Sequence, residues 1–209
     1  MQHFMIRKRV IPAAVGLTFF LIISYFIMTR DTLSFDTVVR EAVYRLRSDE
    51  LTAFFRTITI IGNKQTITLF CVLLLLIPAT RFSYGLPASA AALLASGIQV
   101  VLKVSFHRSR PDLTLHLIDQ GGYSFPSGHS FSVLIFYGML LYLCRLHMKN
   151  RTAAGLVAVL LPCLIVMIGF SRIYLGVHYP TDVLGGWSSG IVVLMLCISA
   201  FDYSQGKRT

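Results

Sequence analysis

Six long apolar runs divide this sequence and leave little chain between them. A run of about 20 apolar residues is long enough to cross a bilayer as a helix. The composition agrees, because 55% of the residues are hydrophobic and only 13% are charged, whereas soluble domains average about 25% charged residues. These figures argue against both an ordinary soluble domain and a disordered chain. We therefore expect an all-α integral membrane protein, a six-transmembrane-helix bundle with spans near residues 11–29, 66–80, 85–104, 130–147, 153–171 and 181–201.

The first two runs and the segment between them set the topology of everything that follows. The first run comes after the basic residues 7–9 and is long enough to span, which predicts a retained helix rather than a cleaved signal peptide. The second run is short. The segment 31–63 mixes charges with apolar residues at helical spacing, which predicts short interfacial helices that end at the Gly-Asn pair 62–63. Without repeats or low-complexity linkers, residues 1–209 are predicted to form a single domain.

The net charge of +10, from 19 Lys and Arg against 9 Asp and Glu, is interpreted first as a topology signal. If both termini are cytoplasmic, the inner segments hold nine of the 19 basic residues and the outer segments hold the other ten. The number of Lys and Arg residues alone therefore favours neither orientation. The compact cluster at 7–9 and the short, acid-free basic loop at 145–151 nevertheless favour a multi-pass protein of the cell membrane with cytoplasmic termini. A nucleic-acid partner is not expected, because so apolar a chain is poorly suited to carry a basic nucleic-acid-binding surface.

Polar residues that are unusual for a membrane protein gather in three short clusters, each at the end of an apolar run. They are residues 103–111 (KVSFHRSRP), 123–130 (YSFPSGHS) and 171–182 (SRIYLGVHYPTD). An even number of predicted crossings separates them, so all three are expected at the same face of the membrane. The predicted orientation makes this the extracytoplasmic face, where polar side chains meet lipid head groups.

Lys103, Arg110 and Arg172 are cations without matching acids nearby in the sequence. A dianionic phosphate needs about that much positive charge to leave water, and arginine binds two phosphate oxygens at once. Ser127 and Gly128 open the fourth span, where the N–H groups of a helix N-terminus bind anions. Taken alone, Lys103 and Arg110 also fit interfacial anchors, and Ser127 also fits a helix cap.

His178 and Asp182 lie four residues apart, with Pro180 between them. Proline fits the first position of a helix, so Asp182 is predicted in the first turn of the last span, within reach of His178. A carboxylate on one imidazole nitrogen fixes the tautomer and leaves the other nitrogen free to attack. His129 is a second histidine, suited to proton transfer near neutral pH. By itself, the His178–Asp182 pair also fits a structural hydrogen bond or half of a metal site.

In combination, these residues resemble the signature of the type 2 phosphatidic acid phosphatase family, which shares it with vanadium haloperoxidases and glucose-6-phosphatase. Residues 103–111 match Lys, six residues, Arg-Pro; residues 126–129 match Pro-Ser-Gly-His; and residues 171–182 match Ser-Arg, five residues, His, three residues, Asp. Each piece alone is weak, but three in this order, each at the end of a span, are specific. The six-span layout extends the resemblance over most of the chain.

The resemblance implies a role for each matched position. His178 would attack phosphorus and become a phosphohistidine, Asp182 would orient it, and His129 would protonate the leaving oxygen and then activate water. Phosphate oxygens would be held by the other matched residues, which are Lys103, Arg110, Ser127, Gly128 and Arg172. The family needs no metal, so neither a metal nor another cofactor is expected.

The loop 104–125 is long for a compact domain, and we expect it to close over the head group. Within it, His107 and Arg108 lie inside the first motif but are not motif positions. They fit loop residues near the head group.

These expectations combine into a metal-independent membrane phosphatase that acts on phosphatidylglycerol phosphate, undecaprenyl pyrophosphate or phosphatidic acid. The lipid substrate would reach the site sideways from the bilayer, and the small size looks bacterial. Three alternatives remain open at this point: a phosphotransferase that uses the same site, a vanadate-dependent haloperoxidase, and a lipid-phosphate binder or transporter without turnover. The oligomeric state is open as well.

Overall fold

The computed structural model describes residues 2–30 and 32–206, with side chains from Arg9 onward. Every regular element in this part of the chain is helical, as the sequence predicts. A π-helical turn, Arg81–Gly85, and a short 3-10 turn, Leu113–Leu115, accompany the α-helices. Those helices are α1 (Gln2–Thr29), α2 (Ser34–Tyr44), α3 (Asp49–Ile61), α4 (Lys64–Leu76), α5 (Pro78–Thr80), α6 (Leu86–Phe106), α7 (Gly128–His147), α8 (Arg151–Tyr174) and α9 (Pro180–Gly206).

Five helical segments in the described ranges are long and apolar enough to cross a membrane, close to five of the six predicted spans. They are Arg9–Thr29, Pro78–Phe106, Gly128–His147, Arg151–Tyr174 and Pro180–Gly206. The run predicted at 66–80 corresponds to α4, which has only 13 residues. α4 reaches the length of a span only together with α3, and the two helices are bent by 46° relative to each other. Gly62 and Asn63 separate the two helices, as predicted.

The helices predicted between the first two spans, α2 and α3, pack against the end of α8. Ser48 caps α3, its hydroxyl accepting a hydrogen bond from the Leu51 N–H at 3.2 Å. Phe55 of α3 lies 4.6 Å from the ring of Tyr174, centroid to centroid, and Val43 of α2 is buried in the same cluster. This packing holds α2 beside the loop that joins α8 to α9.

A close approach of α9 to α7 joins the second and third motifs. A Cβ atom at Gly186 would lie 2.7 Å from the Ser127 carbonyl oxygen and 3.0 Å from Ser130 Cβ, so only glycine fits there. The Ser127 N–H donates to the Asp182 carbonyl oxygen at 2.9 Å. The starts of the two helices are thereby fixed against each other.

Contacts between the three polar clusters confirm that they lie at the same end of the bundle. The Lys103 ammonium donates to the Tyr123 carbonyl, and Nη1 of Arg110 lies 3.2 Å from Nε2 of His178. Which face of the membrane this end occupies stays a prediction. The predicted orientation rests partly on Lys207, Arg208 and the side chains of residues 7–8, which lie outside the described residues.

Candidate active site

A cavity of about 570 Å³ opens between α4, α6 and α7 and reaches the polar clusters. Its walls on α4 and α6 are largely apolar. Five of the eight predicted site residues, drawn from all three motifs, line its polar end: Lys103, Arg110, Gly128, His129 and His178. The other three, Ser127, Arg172 and Asp182, are buried directly behind them.

His178, in the loop between α8 and α9, is 2% exposed. Its Nδ1 lies 3.3 Å from Oδ2 of Asp182, and its Nε2 lies 3.2 Å from Nη1 of Arg110. A guanidinium has only donors, so Nε2 must be the acceptor and the ring proton must sit on Nδ1, facing the carboxylate. Burial first, and then the charges of Arg110 and Arg172, hold the pKa of His178 well below its usual value. His178 is therefore neutral near pH 7, with a lone pair on Nε2.

Asp182, in the first turn of α9, is completely buried and saturated with donors. It accepts hydrogen bonds from the Tyr179 N–H at 2.8 Å and from the Ser124 hydroxyl. Arg108 adds a salt bridge of 2.6 Å to Oδ1. A carboxylate held by so many donors has a fixed orientation, and it fixes the ring of His178 in turn.

Arg108 was expected near the head group, and that expectation is wrong. It is 3% exposed, and its guanidinium joins Asp182 to Asp36 of α2, 2.7 Å away. Burial alone would lower the pKa of Arg108, but the charges of Asp182 and Asp36 raise it. The residue is interior because these two buried carboxylates need a cation between them.

Asp36 is a part of this network that the motifs do not reveal. It is fully buried and accepts from the Thr181 N–H at 2.9 Å and the Thr181 hydroxyl at 2.8 Å. It thus binds both the residue before Asp182 and the guanidinium that contacts Asp182. In the sequence it is one acid in an amphipathic helix, so no local signal distinguishes it from a solvated residue.

Three of the predicted phosphate ligands share one property. Within the described residues, no carboxylate forms a salt bridge with Lys103, Arg110 or Arg172. Arg110 donates instead to backbone carbonyls, including Val177 at 2.6 Å and Gly121 at 2.9 Å. Burial lowers the pKa of Arg110 to about 10, although Asp182 acts in the opposite direction. This end of the cavity carries positive charge that favours an anion.

Arg172 is 1% exposed, near the end of α8. Its Nη1 donates to the Thr59 hydroxyl at 2.9 Å and its Nη2 donates to the side-chain oxygen of Gln120. Its Nε is buried without a hydrogen-bond partner in the described chain. Neutral partners and an unpaired donor leave most of the charge of Arg172 uncompensated.

Ser127 and Gly128 occupy different places at the start of α7. Ser127 is fully buried, and its oxygen accepts from the Ser130 N–H at 3.4 Å and the Ser130 hydroxyl at 3.0 Å. This geometry favours the helix-cap alternative for its side chain. Gly128 lines the cavity and presents the first backbone N–H of the helix. Of the two, Gly128 is the better placed for an anion.

His129 has a partner that sequence reasoning missed. Its Nε2 lies 2.8 Å from Oδ1 of Asn63, in the break between α3 and α4. An amide oxygen only accepts, so Nε2 carries the proton. A Cβ atom at Gly62 would lie 3.1 Å from Cδ2 of the same ring. The bend in the α3–α4 pair therefore packs directly on His129.

The loop after α6 is held by the cations. The cations Lys103, Arg110 and Arg172 donate hydrogen bonds to four consecutive residues of this loop, Gln120, Gly121, Gly122 and Tyr123.

Within the ranges that the structure covers, no three His, Cys, Asp or Glu side chains group as metal ligands do. Independence from a metal stays a prediction.

Comparisons with known proteins agree with the motifs and the fold. Residues 84–205 match the PAP2 superfamily. Phosphatidylglycerophosphatase B of Bacillus subtilis is 32% identical over 190 residues, 88% of this chain and 91% of that protein. Decaprenylphosphoryl-5-phosphoribose phosphatase of Mycobacterium tuberculosis is 35% identical over 111 residues, 52% of this chain and 56% of that protein.

A solved structure extends the similarity to the fold. The crystal structure of a transmembrane PAP2-type phosphatidylglycerolphosphate phosphatase from Bacillus subtilis aligns with a TM-score of 0.82 and 29% identity. The alignment covers 92% of this chain and 96% of that one. The chain belongs to the PAP2 superfamily and is a multi-pass membrane lipid phosphatase.

Proposed function

We propose that the protein hydrolyses the terminal phosphate of a lipid phosphate or pyrophosphate through a phosphohistidine on Nε2 of His178. Phosphatidylglycerol phosphate, undecaprenyl pyrophosphate and phosphatidic acid are the candidate substrates. The state of His178 carries the proposal: Nε2 is unprotonated at the cationic end of the cavity, and the Nδ1 proton faces Asp182. A nucleophile in this state needs no proton removed before it attacks.

The reaction has two balanced steps. In the first, Nε2 of His178 attacks phosphorus, a P–N bond forms and the bond to the leaving oxygen breaks. His129 gives that oxygen a proton from Nδ1, so the ring must enter this step protonated on both nitrogens, with its Nε2 proton hydrogen-bonded to Asn63. Lys103, Arg110 and Arg172 stabilise the negative charge that spreads over the phosphoryl oxygens. In the second, water attacks phosphorus and gives a proton to His129, and the P–N bond breaks to release inorganic phosphate.

The shape of the cavity supports a lipid substrate. From its polar end the cavity continues along α4 and α6, between apolar side chains that include Ile67, Leu75, Leu93 and Val100. Leu93 and Val100 are 76% and 63% exposed, and both lie on α6, within a segment that is long and apolar enough to cross the membrane. A hydrocarbon chain in this groove stays in contact with the bilayer while the phosphate lies among the cations.

We further propose that the site faces the extracytoplasmic side and that both termini are cytoplasmic. The basic loop at 145–151 joins α7 to α8 at the opposite end of the bundle, where the positive-inside rule favours the cytoplasm. Single cysteines in a cysteine-free background test the orientation. An impermeant thiol reagent should label Asp119→Cys in intact cells and leave Asn150→Cys unlabelled, and the reverse pattern contradicts the proposal.

A panel assay tests the reaction itself. The purified protein in mixed micelles should release phosphate from at least one of the three candidate lipids, and EDTA should leave the rate unchanged. With a radiolabelled terminal phosphate, brief reaction and alkaline quench should trap labelled protein whose label is lost in acid, because P–N bonds are acid-labile.

The matched variants use two histidines at opposite ends of the bundle. His178→Ala should lower the rate at least about 10⁴-fold and abolish labelling, since it removes the nucleophile. His147→Ala, at the far end of α7, should stay within about twofold of the wild type. Full activity in His178→Ala contradicts the mechanism, and strict dependence on a metal contradicts the metal-free reaction.

A further inference from the structure

One polar residue in the cavity wall takes no part in the mechanism above. Gln99 lies four residues before Lys103 on α6, so the two side chains share a face about one turn, or ~5.4 Å, apart. Both line the cavity. A glutamine inside a transmembrane helix is costly unless it is bonded, and such residues are functional by default.

The amide of Gln99 is oriented by its neighbour on α7. The Ser132 hydroxyl donates to Oε1 of Gln99 at 3.0 Å, which turns the NH₂ group towards Gly128. A Cβ atom at Gly128 would lie 1.9 Å from Nε2, so the glycine makes room for this amide. Among the described residues Nε2 has no acceptor. By contrast, Ser96, on the same wall, donates to the Ala92 carbonyl at 3.0 Å.

We propose that the NH₂ group of Gln99 donates to an ester carbonyl of a glycerophospholipid, and that it selects diacylglycerol phosphates over polyprenyl phosphates. The inference rests on the proposed function, because it takes the terminal phosphate to lie among Lys103, Arg110 and Arg172. Gln99 then lies one helical turn further along the path of the lipid, between the phosphate and the apolar groove.

The two lipid classes differ in chemistry at this point. A diacylglycerol phosphate carries ester carbonyls within a few bonds of the phosphate ester oxygen, and these oxygens accept hydrogen bonds. A polyprenyl phosphate becomes pure hydrocarbon directly after its phosphate. It would displace water from the Gln99 amide without replacing the lost bond, and unpaired polar groups of this kind are how a site rejects an analogue.

The test is a substrate ratio. Gln99→Met keeps the length of the side chain and removes the donor. We expect kcat/KM for dioleoyl phosphatidic acid to fall about fivefold to tenfold, the worth of one neutral hydrogen bond. For farnesyl phosphate in the same micelles kcat/KM should change less than about twofold or rise. For the diether analogue of phosphatidic acid, Gln99→Met and the wild type should have equal kcat/KM.

Two further variants sharpen the result. Ser132→Ala frees Oε1, so it should shift the ratio in the same direction by a smaller factor. Ser96→Ala, a polar residue of the same cavity wall whose hydroxyl is already bonded within its helix, should leave the ratio unchanged. Thermal melting of each variant in detergent checks that the bundle is intact.

The outcomes separate this inference from the proposed function. Turnover of either lipid by the wild type supports the proposed function, and only a change in the ratio supports the assignment of Gln99. Equal losses on both lipids, or no loss on the ester lipid, overturn the assignment and leave the function standing. A wild type that hydrolyses neither of these lipids nor either of the other two candidate substrates overturns both.

Discussion

His178 lies between two groups of buried charge that are built in opposite ways. On its Nδ1 side, the acidic network of Asp36, Arg108 and Asp182 pairs one guanidinium with two carboxylates, at 2.6 and 2.7 Å. On its Nε2 side, the cationic cluster of Lys103, Arg110 and Arg172 has only neutral acceptors in the described chain, Nε2 of His178 among them. The first group holds its own counter-charges, whereas the second does not.

Because only one of the two groups contains its own counter-charges, we expect the two groups to have different functions. Carboxylates that are paired with a cation and bonded to N–H and O–H donors can be buried permanently. The acidic network can therefore hold α2, the loop after α6 and α9 together and fix the ring of His178. Cations without counter-ions raise the energy of the empty site, and a dianionic phosphate relieves that cost when it binds. We therefore expect that breaking the salt bridges of the acidic network lowers mainly stability, and that removing a cation of the cationic cluster lowers mainly activity.

Arg172→Met is the sharpest test of the cationic cluster. It removes a buried charge that no carboxylate of the described ranges balances, so the melting temperature should stay the same or rise. Activity should fall about 10²-fold to 10³-fold, as when a donor to a transition-state oxyanion is removed. Phosphate release and thermal melting on the same preparation measure both effects.

An exposed arginine provides the control for this variant. Among the described residues, Arg56 of α3 donates only to the Leu117 carbonyl, so Arg56→Met should keep activity within about threefold. If Arg172→Met unfolds the protein, the cationic cluster is a structural element and the comparison fails.

Arg108→Met should give the opposite result. It leaves two carboxylates buried without their cation, which costs about 3–5 kcal/mol when one partner of a buried pair is removed. The free energy of unfolding in detergent should fall by that amount, because Asp36 and Asp182 are both fully buried. Adding Asp36→Asn should recover part of the loss, since one buried charge then disappears. No recovery in the double variant would show that Arg108 acts through packing alone.

The sequence predicts the parts of this site that form local patterns. The spacing of three motifs identifies His178, Asp182 and their phosphate-binding partners, and hydropathy identifies five long spans. The short second run was predicted as a span of its own, but α4 needs α3 to reach that length. The length of an apolar run shows which residues can lie in a membrane. It does not show whether two short helices combine into one bent span.

The residues that support the site were not predictable for a physical reason. Arg108 meets Asp36 across 72 positions of sequence, and Asn63 meets His129 across 66. Each is a single polar residue in an otherwise ordinary helix or loop, and only the packing of α2 and α3 on α8 brings it to the site. Gln99 is the exception, since a lone glutamine in an apolar run is a signal that the sequence does show.

The smallest expected effect is a change in the pH dependence of stability, and it tests how the two groups act on His178. The pKa of this ring is well below its usual value in the folded protein, owing first to burial and then to the cationic cluster. In the unfolded chain it is about 6.5. Below about pH 6.5 the His178 ring therefore binds a proton in the unfolded chain but not in the folded protein. The free energy of unfolding is fully retained above that pH and falls below it.

The slope reaches at most about 1.4 kcal/mol per pH unit for one proton. Unfolding in detergent between pH 7 and pH 5 should therefore show a steeper loss of stability in the wild type than in His178→Gln. His116, whose pKa is lowered mainly by burial, contributes in the same direction. Because it is much less buried than His178, His116→Gln should flatten the slope less. Equal slopes in the wild type and His178→Gln would mean that the ring is not held neutral, and the lone pair on Nε2 that the mechanism requires would then be absent near pH 6.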